Sequence, residues 1–248
     1  MNIEELIEKN ELELTDIYIE IDKICRYNSK KVLEAFHKNQ VSESHFNSTT
    51  GYGYNDEGRD TIEKVFADVF KCEDALVRSQ FISGTHALTV CLFGLLRPKD
   101  ILLSISGKPY DTLDSVIGIK DNPSSLKSFG IEYRQIDLID NEFDTEKILD
   151  TIKNNKIKVI TIQRSKGYST RKSIGIDKIR DIIKKIKEVD SNVIVMIDNC
   201  YCEFVSDREP IEVGADIAVG SLIKNLGGGI APNGAYVVGR KNLVELIA

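Results

Sequence analysis

Seven short apolar runs, many of them rich in β-branched residues, punctuate the chain from residue 75 onward. They are 75–82 (ALVRSQFI), 101–105 (ILLSI), 131–136 (IEYRQI), 158–163 (KVITIQ), 193–198 (VIVMID), 216–221 (DIAVGS) and 234–239 (GAYVVG). Between most of them lie stretches with apolar residues at helical spacing, such as Thr85–Leu96, Asp144–Lys153 and Ile176–Glu188. Strands alternating with helices are the signature of βαβ units, so the pattern predicts an α/β fold. The expected architecture is a mostly parallel sheet of about seven strands with helices covering both faces. The last two runs are joined without room for a full helix, so one of that pair should run antiparallel.

Upstream of the strands the pattern changes. Ile17, Ile21, Ile24 and Cys25, then Val32, Leu33 and Phe36, recur at helical spacing, and residues 3–38 read as helix. Residues 42–60, SESHFNSTTGYGYNDEGRD, have no period at all. A loop this long in a compact domain is usually functional or an interface arm. Thr61 then opens a further helix with Asp60 as its expected N-cap. The chain thus divides into N-terminal helices with a glycine-rich arm (1–60), a large domain (61–240) and the start of a helix (241–248). That last pattern, RKNLVELIA, breaks off without a capping signal, and few packing partners are expected for it.

Composition narrows the function classes. The 248 residues carry 33 Lys plus Arg against 39 Asp plus Glu, a net charge of −6. An acidic balance argues against a general nucleic-acid binder, whose phosphate contacts need surplus cations. No apolar run approaches the ~18–20 residues of a membrane span. The opening MNIEELIEKNELEL lacks the apolar stretch of a signal peptide. Five cysteines show no paired metal spacing, and Cys200-Tyr-Cys202 is no zinc knuckle, so reduced thiols in a cytoplasmic protein are expected.

Ligands of open α/β sheets bind beyond the carboxyl ends of the strands, and three loops there carry candidate chemistry. Ser83-Gly84-Thr85-His86 enters a helix, where glycine permits close approach and first-turn amides suit a phosphate; equally, Ser83 or Thr85 is a helix cap. Asp198 ends the VIVMID run, where a carboxylate needs a cation or good donors, or caps a helix. Lys224 follows DIAVGS and precedes Gly227-Gly228-Gly229. A lysine in a partly desolvated site is a competent amine nucleophile for a carbonyl; on a flexible loop it is only a surface charge. Taken together, a phosphate site, a strand-end Asp and a later Lys are the parts pyridoxal phosphate needs. They also come in the chain order of fold-type-I enzymes.

The runs GYGYNDEGRDTIE, EDALVRSQFISGTHAL, GKPYDTL, QRSKGYS, IDNCYCEF and GSLIKNLGGGIAPNGAYVVGRKNLVE closely resemble the aluminium-resistance, methionine γ-lyase-like family. That family lies in the cystathionine-lyase branch of pyridoxal phosphate enzymes, and the resemblance covers nearly the whole chain. It implies that 61–240 is the cofactor-binding large domain and that Lys224 binds the cofactor's aldehyde. Asp198 would pair with the pyridine nitrogen, and Gly84, Thr85 and Ser221 would hold the phosphate. Tyr110 would stack on the ring. Tyr54 or Tyr52, in the arm, would reach a neighbouring subunit's phosphate, with Arg59 a weaker candidate because the arm's Tyr-x-Arg pattern is absent.

Further implications follow from the same resemblance. The position before the lysine, often Thr in the lyases, is Ile223, which removes one phosphate donor. None of His37, His45 and His86 is expected to be catalytic, and Cys200 and Cys202 are expected to be packing residues. The implied activity is elimination at a sulfur amino acid, as in cystathionine, methionine or cysteine breakdown, in a homo-oligomer without nucleic-acid or membrane partners. Family members continue into a smaller C-terminal domain bearing the arginine for the substrate's α-carboxylate, so this chain is expected to be truncated and impaired as a lyase. Two other readings remain: a catalytically silent domain that binds cofactor or a partner chain, and a nucleotide-binding domain. The last lacks both GxGxxG and GxxxxGK[ST].

Overall fold

The computed structural model describes residues 2–47, 49 and 53–248. Its strands are β1 (Asp74–Arg78), β2 (Ile101–Ser104), β3 (Glu132–Gln135), β4 (Ile157–Gln163), β5 (Ile194–Asp198), β6 (Ile217–Ser221) and β7 (Ala235–Gly239). They form one sheet in the order β1-β7-β6-β5-β4-β2-β3. β3, β2, β4, β5 and β6 are mutually parallel, whereas β7 runs antiparallel to both β6 and β1. The short β6–β7 connection therefore reverses the chain, as a connection without a crossover helix must. This is the doubly covered, mostly parallel sheet of fold-type-I enzymes.

The helices are α1 (Ile3–Glu13), α2 (Thr15–Lys38), α3 (Glu57–Phe70), α4 (Gly84–Leu95), α5 (Asp114–Ile117), α6 (Thr145–Asn154), α7 (Ile176–Val189) and α8 (Lys241–Ile247). One sheet face, carrying Leu103, Ile160, Val195 and Ile197, packs under α3, α6 and α7. The other, carrying Leu102, Val159, Met196 and Val219, packs under α4 and α8. Adjacent strand residues point to opposite faces, so runs buried on both sides must be apolar throughout. α7 alone buries Ile176, Ile179, Ile182, Ile183 and Ile186, each side chain contributing on the order of 1.5–3 kcal/mol.

Several elements differ from expectation. Residues 3–38 form two helices, broken at Leu14, whose φ and ψ of −94° and 0° leave the helical basin. Asn10 and Thr15 turn their side chains back onto the carbonyls of Leu6 and Glu11, which competes with the backbone ladder and bends a helix. The apolar stripe of α2 is also largely uncovered: Ile17, Ile21 and Leu33 are each more than half exposed. α2 docks instead through buried Asn28, Lys31 and Ala35. Asn28 Nδ2 donates to the Phe204 and Ser206 carbonyls, and Lys31 pairs with Glu212 at 3.8 Å.

α3 begins four residues earlier than expected. Asp56, not Asp60, is its N-cap and accepts from the Arg59 amide at 3.0 Å. β1 stops at Arg78, and Ser79–Ile82 turn towards α4. α8 is well packed, contrary to expectation, because Leu243, Val244 and Ile247 bury against β1 and α4. Gly94 of α4 makes room, since a Cβ there would sit 3.1 Å from the Leu246 carbonyl.

Candidate active site

The carboxyl ends of β4, β5 and β6 and the N-terminus of α4 enclose a cavity of about 140 Å³. Gly84, Thr85, Tyr110, Asp198, Ser221 and Lys224 all line it. These residues are scattered over 141 positions of sequence, and the sheet brings them together because each closes or follows a strand that ends on the same edge.

Asp198 is the last residue of β5, in register with Gln163 of β4 and Val219 of β6. Its carboxylate accepts from the Cys200 amide at 3.1 Å. Burial pushes this carboxyl above the usual Asp range, while hydrogen bonds from Cys200 and the nearby Lys224 charge oppose the rise. A carboxylate so placed gains from a cation brought into the cavity. Lys224 sits at the head of the turn Asn225–Gly227, half-buried, with its Nζ 4.1 Å from the ring centroid of Tyr201. The Tyr201 backbone is left-handed at φ +67°, uncommon for a bulky residue, and so carries strain at the cavity wall.

Another part of the cavity lining suits an anion. Ser83 caps α4 by accepting from the His86 amide at 3.2 Å. The amides of Gly84 and Thr85 lie ahead of the first intrahelical bond and have no intrahelical acceptor. Gly84 lets the helix approach closely: a Cβ there would lie 3.2 Å from the Ser221 Cβ and 3.3 Å from the Cys200 Sγ. Ser221 is buried, and its Oγ has no hydrogen-bond partner among the described residues. An orphaned buried hydroxyl costs about 1–3 kcal/mol, which a bound phosphate oxygen would recover. Thr85 Oγ1 shares a 2.7 Å bond with Thr112 Oγ1. The orphaned hydroxyl and first-turn amides suit the phosphate, the strand-end carboxylate the ring nitrogen and the lysine the aldehyde of pyridoxal phosphate, so the residues fit that cofactor.

Tyr110 stacks on Tyr168, with ring centroids 5.7 Å apart and planes 25° apart. The hydrogen bond to Tyr168 pushes its phenol up to about 12. A second, polar cavity of about 430 Å³ shares Tyr110, Gln163 and Gly167 with the first. Arg171 borders it, but its guanidinium is engaged by the carbonyls of Gln163 (2.9 Å) and Ser165 (2.5 Å). Ile223 lines the main cavity and offers no hydroxyl.

Other sequence candidates lie elsewhere. Tyr54 is 84% exposed on a turn and does not line the cavity of its own chain. Tyr52 falls outside the described residues. Arg59 rests against Gly53, where a Cβ would meet its Nη1 at 2.3 Å. His86 Nδ1 accepts from the Ile82 amide, and His45 bonds the backbone of Ser42. Gln163 and Tyr201 were missed by sequence reading. Tyr201, three residues beyond Asp198 in the same loop, was within reach of it; Gln163, whose Oε1 has no partner among the described residues, gave no signal. Among the described residues there is no His/Cys/Asp/Glu cluster able to hold a metal, and no helix is long and apolar enough to cross a membrane.

Known proteins are similar to this chain in sequence and fold. A crystal structure from Listeria innocua, provisionally named a cystathionine beta-lyase involved in aluminum resistance, superposes with a TM-score of 0.96 at 51% identity. That match covers 100% of this chain and 61% of the other. The uncharacterized protein YnbB of Bacillus subtilis is 49% identical over 248 residues, covering 97% of this chain and 59% of YnbB. The pyridoxal-5'-phosphate dependent protein YhfS of Escherichia coli has a TM-score of 0.70 at 19% identity over 90% of this chain and 57% of its own, a likeness of fold alone. The chain thus spans about 60% of the length of these relatives. The family model for methionine gamma-lyase matches residues 3–248, and with the cavity just described it makes the chain a member of the methionine gamma-lyase family.

Proposed function

We propose that this chain carries the pyridoxal phosphate site of a carbon–sulfur lyase acting on a sulfur amino acid. The observation that supports this most strongly is the shared cavity of Lys224, Asp198, Gly84 and Ser221, whose Oγ has no partner among the described residues. In this reading Lys224 Nζ takes the cofactor's aldehyde and Asp198 faces its ring nitrogen. The amides of Gly84 and Thr85, with Ser221 Oγ, take the phosphate, and Tyr110 covers the ring. Bound pyridoxal phosphate supplies an electron sink that stabilises negative charge at the substrate's Cα.

The remaining work falls to the chain's own groups. Asp198, whose carboxyl is pushed up by burial, would favour a protonated ring nitrogen, and that charge would in turn favour its ionised form. The Lys224 amine, which lines the same cavity, would be the base that takes the proton from the substrate's Cα. The polar cavity beyond Tyr110 offers room for the sulfur-bearing side chain. A carboxylate clamp requires a free guanidinium, and Arg171 is already committed to carbonyls. We therefore assign the clamp to the part of the relatives' length that this chain does not span, in a homo-oligomer.

The test is elimination from cystathionine, cysteine and methionine by this chain and by the same chain fused to a relative's remaining length, at equal cofactor occupancy. The proposal expects turnover by the fusion and turnover several powers of ten lower for the chain alone, since losing two charge-assisted bonds of about 1.5–3 kcal/mol each weakens transition-state binding accordingly. Cofactor binding with no elimination by either protein would favour a silent cofactor-binding domain instead.

A further inference from the structure

Behind the cavity, on the side away from solvent, lies a chain of buried polar groups that the proposed chemistry does not use. Arg164, just past β4, donates from Nη1 to Asn199 Oδ1 at 2.6 Å. Asn199 Nδ2 donates to Glu209 Oε2 at 3.1 Å and to the Tyr236 hydroxyl at 3.2 Å. The Tyr236 hydroxyl donates to Glu203 Oε1 at 3.0 Å. Asn225 Nδ2 then donates to the Glu203 main-chain carbonyl at 3.2 Å. Arg164, Asn199, Glu203, Glu209 and Tyr236 are all at most 2% exposed.

The position of the two asparagines is informative. Asn199 is the residue after Asp198, and Asn225 is the residue after Lys224. Their side chains leave the cavity and meet at Glu203, directly through its carbonyl or through the Tyr236 hydroxyl. The end of β6 rests on the same pair: a Cβ at Gly220 would fall 2.4 Å from both Glu203 Oε1 and the Tyr236 hydroxyl. Glu203 and Tyr236 therefore contact the end of β5, the end of β6 and the lysine turn at once. Burying this many polar groups is costly unless they are bonded, and the chain bonds most of them while fixing their mutual geometry.

We infer that Asn225, Tyr236 and Asn199 are positioning residues that set the separation of Lys224 from Asp198 through Glu203. The inference rests on the proposed reading of Lys224 and Asp198 as cofactor ligands. It concerns the unliganded geometry of the site: with the chain intact, the lysine turn stands where the aldehyde must arrive, and without it the turn samples other positions.

The test uses Asn225→Ala, on an exposed turn, and Tyr236→Phe, which keeps the ring, singly and together. Pyridoxal phosphate is titrated into each protein, and three quantities are read: the dissociation constant, the pH midpoint of the bound-cofactor absorbance and the melting temperature without cofactor. Asn225→Ala should weaken binding about tenfold and shift the pH midpoint while leaving the melting temperature unchanged. The double variant should lose little more than the worse single variant, because both break one chain. Unchanged affinity and midpoint in Asn225→Ala, or losses that multiply to about a hundredfold in the double variant, would overturn the inference. A wild-type protein that forms no borohydride-stable adduct at Lys224 would instead overturn the underlying reading and this inference with it; an adduct with unaltered variants would overturn positioning alone.

Discussion

Substituting Glu203 by Gln should make the protein more stable, by an amount that grows with pH. Glu203 is 2% exposed, and burial, reinforced by the neighbouring Glu209 and Asp198, pushes its carboxyl up to about 7 from an ordinary 4.5. The Tyr236 hydroxyl and the backbone oppose the rise without cancelling it. Because the folded-state value is raised, the native protein holds a proton that the unfolded chain releases as pH climbs above 4.5. The contribution of Glu203 to stability is therefore greatest at low pH and falls until pH passes about 7, where both states are ionised. At ~1.4 kcal/mol per unit, the full penalty is about 3 kcal/mol. Glu203→Gln removes the ionisation while its amide oxygen can still accept from Tyr236. Urea unfolding at pH 5, 6, 7 and 8 would measure it: the stability of the variant minus that of wild type should rise by most of that amount across the series. Asp198 and Glu209 titrate in both proteins and largely cancel in the difference. Parallel stability curves, with a constant offset between the proteins, would refute the reasoning.

The other expectations follow from the same cavity. Ser221→Ala should leave the melting temperature of the cofactor-free protein unchanged or higher, since it removes an orphaned hydroxyl, yet weaken pyridoxal phosphate binding ten- to a hundredfold by titration. Gly84→Ala forces a methyl against Ser221 and Cys200, so it should cost about 1–3 kcal/mol in urea unfolding and reduce cofactor affinity as well. Ile21 and Leu33 are exposed on α2, so Ile21→Glu with Leu33→Glu should abolish any concentration-dependent association seen by light scattering.

Much of the sheet was legible because five of its strands are parallel and central ones are buried on both faces, which demands unbroken apolar runs such as VIVMID. Asp198 and Lys224 were legible for a related reason: a charged residue closing or following such a run needs an explanation. The break at Leu14 was not, because helical spacing continues through it and only the side-chain bonds of Asn10 and Thr15 reveal the competition. The packing of α8 depends on Gly94 and β1, some 150 residues earlier, which no local pattern encodes. The same holds for the chain behind the site. Arg164 lies in a polar stretch, QRSKGYS, that reads as exposed loop, yet it is buried against Asn199, 35 residues away. Asn199 and Tyr236 are likewise distant in sequence, and only the β5–β6–β7 order joins them.

The claim that Lys224 is the cofactor's covalent partner can be tested most directly by trapping. Pyridoxal phosphate is added to the purified chain, the mixture is reduced with borohydride, and the peptides are mapped by mass spectrometry. The account predicts one dominant pyridoxyl-lysine, at Lys224, lost together with the bound-cofactor absorbance in Lys224→Ala. An adduct spread over several surface lysines, or one that persists elsewhere at the same yield in Lys224→Ala, would contradict it.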